Sequence, residues 1–306
     1  MEEFLRIIDA HSHLWLRQDT VVDGQPIRTL ERGRSLFFGR EVQMLPPFMI
    51  DGRNSAEVFL SNMDYARVGG AVVVQEFIDG IQNEYLAEVA TKYPDRLKVC
   101  AMFDFRGEGF MEEAGRILPG GPFSGVSIPG HRLGKGSLCS DELMRMYSLM
   151  QEEGLYLSLC LHEDCSQISQ VEEIVSAFPD LRIAIGHFGM VTTPKWLEQI
   201  KLARHPNVMI ESGGITWLFN SEFYPFKGAV RAIREAADLV GIDKLMWGSD
   251  YPRTITAITY KMSYDFVLRS DLLTDEEKRL FLGENAIRFY GFGPLPYLPY
   301  IKNMSE

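Results

Sequence analysis

Eight short runs rich in aliphatic and β-branched residues recur along this chain, at 6–10, 70–75, 97–103, 125–128, 155–161, 181–186, 207–211 and 244–248. Longer stretches of helical period separate them, and this alternation is the signature of βαβ units around a parallel sheet. Eight such units in 306 residues predict a single (β/α)8 barrel domain, since α/β barrels commonly run to about 250 residues or more as one domain. Punctuation agrees: Asn54-Ser55 and Ser140-Asp141 open helices, and Thr274-Asp275-Glu276-Glu277 reads as a capping box.

Two segments stand outside the repeat. Residues 17–52 follow the first strand, which places them at the top face of a barrel as a lid or specificity loop. Arg28, Arg32, Arg34, Arg40 and Arg53 there are candidates for holding an anionic substrate, although a solvated loop with ordinary surface charges accounts for each of them more simply. The tail at 291–306 carries Pro294, Pro296 and Pro299 among tyrosines; it is expected to pack across the surface and gives a motive for a homo-oligomer.

A formal net charge of -11 makes the average surface repel phosphate backbones and anionic lipid headgroups, so a small molecule is the expected partner rather than nucleic acid or membrane. No basic-then-apolar leader and no run of about 18 apolar residues is present, and a soluble cytoplasmic protein is expected. The four cysteines form no C-x-x-C pair, and Cys160 reads as a small strand hydrophobe rather than a nucleophile.

The chemistry gathers at strand ends. The first run leads into Asp9-Ala10-His11-Ser12-His13, where two imidazoles share one face of the strand. The fifth run leads to His162, the sixth to His187 and the eighth to Asp250. Residues able to bind metal or carry protons thus fall at the C-terminal ends of four parallel strands, where barrel enzymes build their sites.

These motifs, with Ile185-Gly186-His187-Phe188-Gly189 and Trp247-Gly248-Ser249-Asp250-Tyr251-Pro252, resemble those of the amidohydrolase-related group of the amidohydrolase superfamily, and Gly283-Glu284-Asn285-Ala286 is similar to its final-helix motif. The resemblance runs from residue 8 to about 290. It implies one divalent metal ion, commonly Zn2+ with Mn2+ or Fe2+ as alternatives, held by His11, His13, His162 and Asp250, with His187 kept for proton transfer or substrate polarisation. The fourth run and its continuation, Gly125-Val126-Ser127-Ile128-Pro129-Gly130-His131-Arg132, lacks the lysine used by dinuclear relatives, so a second ion is not expected.

The resulting expectation is a hydrolase acting on a lactone or related carboxylated carbonyl compound, with Asp250 accepting the proton of a metal-activated water and His187 stabilising the oxyanion or protonating the leaving group. Nonoxidative decarboxylation of an aromatic or muconate-type acid is the alternative, with His131 and Arg132 binding a carboxylate. A metal-independent lactonase and a non-enzymatic binding protein are further readings. Trp217 and Arg253 are candidate substrate contacts, Arg253 by bidentate clamping of a carboxylate, although packing under a loop accounts for Trp217 and Phe219 more simply; Glu76, just beyond the second run, is another candidate.

Overall fold

The computed structural model describes residues 5–134 and 136–305. Residues 1–4, where the segment read as lacking a leader begins, lie outside the described residues, as do Lys135 and the tail's last residue, Glu306. Twelve strands are present among the described residues. In chain order they are β1 (Ile8–Ser12), β2 (Asp19–Val22), β3 (Gln25–Thr29), β4 (Arg34–Phe37), β5 (Arg40–Gln43), β6 (Gly70–Val73), β7 (Leu97–Ala101), β8 (Gly125–Pro129), β9 (Tyr156–Cys160), β10 (Arg182–Ile185), β11 (Val208–Glu211) and β12 (Leu245–Met246). Eight of them form one parallel sheet in the order β1-β6-β7-β8-β9-β10-β11-β12. Backbone bonds from Ala10 N to Trp247 O (2.9 Å) and His13 N to Tyr251 O (2.7 Å) join its two edges, so the sheet closes into the predicted (β/α)8 barrel.

The interior is filled by side chains from alternate strand positions: Ile8, Ala10, Val72, Val74, Cys100, Tyr156, Ala184, Met209 and Met246 form one buried cluster. Strict alternation from Ile8 and Ala10 would turn Ser12 inward next and send His11 and His13 out toward the helices. The register prevents this. Asp9 pairs with Ala71 and Ser12 with Val73, so β1 carries one residue more than β6 over that interval. The bulge reverses the alternation and brings both histidines to the barrel mouth.

The other strands correct a sequence expectation. Residues 17–52 are not an irregular loop, because β2 to β5 form an antiparallel meander of their own. Two tight turns make it: Asp23-Gly24 has φ of 50° and 72°, and Phe38-Gly39 has 49° and 77°, the paired positive values of the hairpin turn whose twist matches its strands. At the opposite end, the C-terminal helix Asn285–Tyr290 supplies Ala286, Phe289 and Tyr290 to the interior cluster, and Phe292 joins them. Gly70 makes room for this plug, since a Cβ there would come within 2.7 Å of the Phe292 ring. The tail therefore seals the barrel floor before it emerges, and Tyr297, Tyr300 and Ile301 are exposed. Among the described residues, no helix is long and apolar enough to cross a membrane.

Asp9 locks the closing edge. Fully buried on the outer side of β1, it accepts bonds from Ser249 N (2.8 Å), Tyr260 Oη (2.7 Å), His11 N (3.1 Å) and the Ser249 hydroxyl. Asp9→Ala would leave those donors buried and unpaired, each at roughly 1–3 kcal/mol when nothing replaces the bond. The expected loss is about 3 kcal/mol or more of unfolding free energy in urea titration; a loss below about 1 kcal/mol would show that Asp9 does not hold the seam.

Candidate active site

His11 and His13 lie at the barrel mouth beside Asp250, which follows β12. Three atoms converge there: His11 Nε2 and His13 Nε2 are 3.1 Å apart, and Asp250 Oδ1 lies 3.2 Å from the second and 3.8 Å from the first. The far atom of each group is engaged elsewhere. His11 Nδ1 meets Glu211 Oε1 at 2.7 Å, His13 Nδ1 lies 2.9 Å from Asp79 Oδ2, and Trp217 Nε1 donates to Asp250 Oδ2 at 2.6 Å. The Glu211 bond on His11 Nδ1 fixes the tautomer whose Nε2 carries the lone pair, and the Asp79 carboxylate beside His13 Nδ1 favours the same one there, so two ring nitrogens and one carboxylate oxygen face a common point. That donor set fits a divalent cation.

Space for the His11–Glu211 pair comes from three glycines. A Cβ at Gly213 or Gly248 would stand 2.8 Å from Glu211 Oε2 and equally close to the His11 side chain, and one at Gly186 would stand 2.7 Å from Glu211 Oε1. Asp250 and His187 both hold positive φ, 58° and 59°, a conformation costly for residues with side chains and one that gathers at functional sites.

The electrostatics follow from burial against neighbouring charge. Burial opposes a proton on His13, but Asp79 and Asp250 outweigh it and raise its pKa to about 10, so a cation would gain the Nε2 lone pair by displacing a proton. Burial likewise works against a charged His11, and Glu211 more than compensates, raising it. Asp250 is pushed up by burial but held well below the usual carboxylate range by His13, His187 and His11. His187 moves the other way, lowered by burial and by His11 beside it, whose ring centroid is 4.7 Å away. A neutral His187 donates Nδ1–H to Gly213 O (2.9 Å), which leaves Nε2 as an acceptor.

These groups line a cavity of about 380 Å³. His131, Arg132, Trp217 and Arg253 all reach it, as does Glu76, whose Oε2 takes both His131 Nε2 and Arg132 Nε at 3.0 Å. Burial would raise Glu76, yet His131 and Arg132 bring it down to about 2. The Arg253 guanidinium lies 3.9 Å over the Trp217 ring. Phe219 packs against the outer hydrophobic core.

Not every sequence candidate converges. His162 lines the cavity but stays outside the donor cluster, its side chain 49% exposed and its Nδ1 3.1 Å from Asp164. The reason is local: β9 ends at Cys160, and the backbone of His162 is held away by Gln167 Oε1 on its nitrogen and Gln199 Nε2 on its oxygen. None of Arg28, Arg32, Arg34, Arg40 and Arg53 lines the cavity; Arg28 and Arg34 pair with Asp19 and Glu41 of the small sheet, which reaches the cavity wall through the adjoining Met44 instead. Sequence reasoning assigned no role to Glu211 or Asp79. A carboxylate closing the apolar run Val208-Met209-Ile210 was a visible signal for Glu211, whereas Asp79, in a short turn after β6, carried none.

Comparison with known proteins places this geometry in context. None of the curated proteins compared matches the chain. Among solved structures, a probable 2-pyrone-4,6-dicarboxylic acid hydrolase from Acinetobacter baumannii with citric acid bound is 20% identical, with a TM-score of 0.67 over 94% of this chain and 100% of that one. An amidohydrolase from Burkholderia multivorans with bound zinc is 17% identical, with a TM-score of 0.67 over 95% and 100%. A 5-carboxyvanillate decarboxylase from Sphingomonas paucimobilis is 16% identical, with a TM-score of 0.64 over 94% and 99%. At these identities the likeness is one of fold. The sequence model described as Amidohydrolase matches residues 8–292, nearly the whole chain, and this protein is therefore an enzyme belonging to the amidohydrolase family.

Proposed function

We propose that this enzyme hydrolyses a small lactone or related carbonyl compound at a site where His11, His13 and Asp250 hold one divalent ion, with zinc the simplest choice. The observation that carries the reading is the convergence of two histidine nitrogens and a carboxylate oxygen, each with a partner beside its far atom, at the wall of the cavity in the barrel mouth. The zinc in the Burkholderia structure and the hydrolase named for the Acinetobacter one support it. When bound, such an ion polarises a carbonyl oxygen and acidifies water.

The chain's own groups divide the remaining work. Glu211 and Asp79 orient the two imidazoles, and Trp217 holds the second oxygen of Asp250. Asp250 is a poor base, because its histidine neighbours hold its pKa well below the usual carboxylate range, one oxygen would be committed to the ion and the other accepts from Trp217. His187 is the better proton carrier: it is neutral, and its free Nε2 takes a proton from the attacking water and returns it to the departing oxygen. This reassigns the base role that sequence reasoning gave to Asp250.

Decarboxylation is the second reading, favoured by the Sphingomonas relative and by the His131–Glu76–Arg132 group facing the cavity. Acid release from a panel of lactones without carbon dioxide is expected; carbon dioxide from aromatic acids would transfer the enzyme to the second reading, and full turnover after chelation would remove the ion from both.

Two variants test the assigned roles. His187→Ala is expected to keep its zinc, measured by elemental mass spectrometry, and to lose about 100-fold or more in kcat. Unchanged kcat with zinc in place would take His187 out of the reaction. Glu211→Gln is expected to weaken zinc binding about 10- to 100-fold in competition with a chromogenic chelator; an unchanged affinity would mean that orientation of His11 does not matter for holding the ion.

A further inference from the structure

We propose that Arg253 anchors a single substrate carboxylate, so that the site selects small carbonyl compounds with one carboxylate on an otherwise apolar body. The inference rests on the hydrolytic reading for its purpose but on separate residues for its evidence.

Two guanidinium groups line the cavity, and they differ in what already neutralises them. Arg132 Nε lies 3.0 Å from Glu76 Oε2, an oxygen also shared with His131. Glu76 is charged at any working pH, since His131 and Arg132 bring it down to about 2 against the effect of burial. The charge of Arg132 is thereby spent inside the protein. Arg253 has no such counter-ion: among the described residues, no ion pair to a carboxylate forms at its side chain. Its guanidinium instead lies 3.9 Å above the Trp217 ring.

That stacking fixes the plane of the guanidinium and leaves its edge N–H groups free, an arrangement suited to a planar carboxylate held by two parallel bonds. It also fixes the distance to the chemistry. The same Trp217 donates to Asp250 Oδ2 at 2.6 Å, so one indole separates Arg253 from the converging donors. A carboxylate on Arg253 would leave a carbonyl a few bonds away beside His11, His13 and His187. Elsewhere the cavity wall sets Met44, Ile78, Ile128, Leu161 and Met190 beside Gln75, Ser127, Ser158 and Glu163; the apolar groups make up the larger part of it, which suits a flat or aliphatic body more than a fully hydroxylated one.

Benzoate and benzamide, alike in shape but not in charge, separate the anchor from turnover. Zinc-loaded protein is titrated with each, followed by tryptophan fluorescence and calorimetry. Wild type is expected to bind benzoate about tenfold or more tighter than benzamide. Arg253→Gln should reduce benzoate binding to the benzamide level with zinc content unchanged, Arg253→Lys should restore it in part, and Arg132→Gln should leave it within about threefold. Equal binding of benzoate by Arg253→Gln, loss in Arg132→Gln instead, no preference over benzamide in the wild type, or tighter binding of inorganic phosphate than of benzoate would each overturn the proposal. Because the readout needs no turnover, an Arg253-dependent preference would stand even if no lactone were opened. Lactone opening indifferent to a carboxylate, with Arg253→Gln silent, would overturn the anchor and leave the hydrolysis intact.

Discussion

The site is organised around one buried hydrogen bond, from His11 Nδ1 to Glu211 Oε1 at 2.7 Å, with both side chains almost entirely withdrawn from solvent. A carboxylate so deeply buried is tolerable only when its oxygens are met by donors, and Glu211 receives the His11 ring on one and the Gly213 amide on the other. The pair spans the barrel mouth from β11 to β1, strands that are not neighbours in the sheet order. Gly186, Gly213 and Gly248 follow from it, because a side chain at any of them would occupy the volume of the pair. The glycines that follow three barrel strands thus share one cause, the room needed by a histidine and a glutamate.

From that pair the rest of the geometry is built outward. Holding Nδ1 commits the His11 Nε2 lone pair to the point it shares with His13 and Asp250, and Asp79 and Trp217 repeat the device on those two residues. The β1 bulge is what allows two histidines to join a barrel whose preceding interior positions are Ile8 and Ala10. Backbone strain is accepted at Asp250 and His187, where positive φ aims side chains that regular strands would not. The Asp250 amide bonded to His11 O at 2.9 Å ties the strained turn back to β1. Asp9, one face away, secures the same seam from the helix side.

What the sequence disclosed and what it withheld divide along physical lines. Barrel strands were legible because apolar runs alternating with helical segments report a buried parallel sheet, and the Thr274–Glu277 capping box was legible because it is wholly local. The small sheet of β2 to β5 had a local signal too, Asp23-Gly24 between Val21-Val22 and Gln25-Pro26-Ile27, but the flanking strands are short and mostly exposed and so lack a strong apolar rhythm. The bulge in β1 could not be read from β1, since it is a relation between two strands. His162 looked like a strand end from the run before it, yet strand pairing stops at Cys160, and Gln167 just beyond it and the more distant Gln199 hold its backbone. The neutralisation of Arg132 likewise depends on Glu76, 56 residues earlier, and is invisible to any local pattern.

The account stands on where a divalent ion sits. Zinc-loaded crystals measured on both sides of the zinc absorption edge locate it without reference to activity. The expected result is one anomalous peak about 2.0–2.2 Å from His11 Nε2, His13 Nε2 and an Asp250 oxygen, with His162 still turned to the rim. A peak ligated through His162 and away from His11, or no peak at the mouth of the barrel, would contradict it.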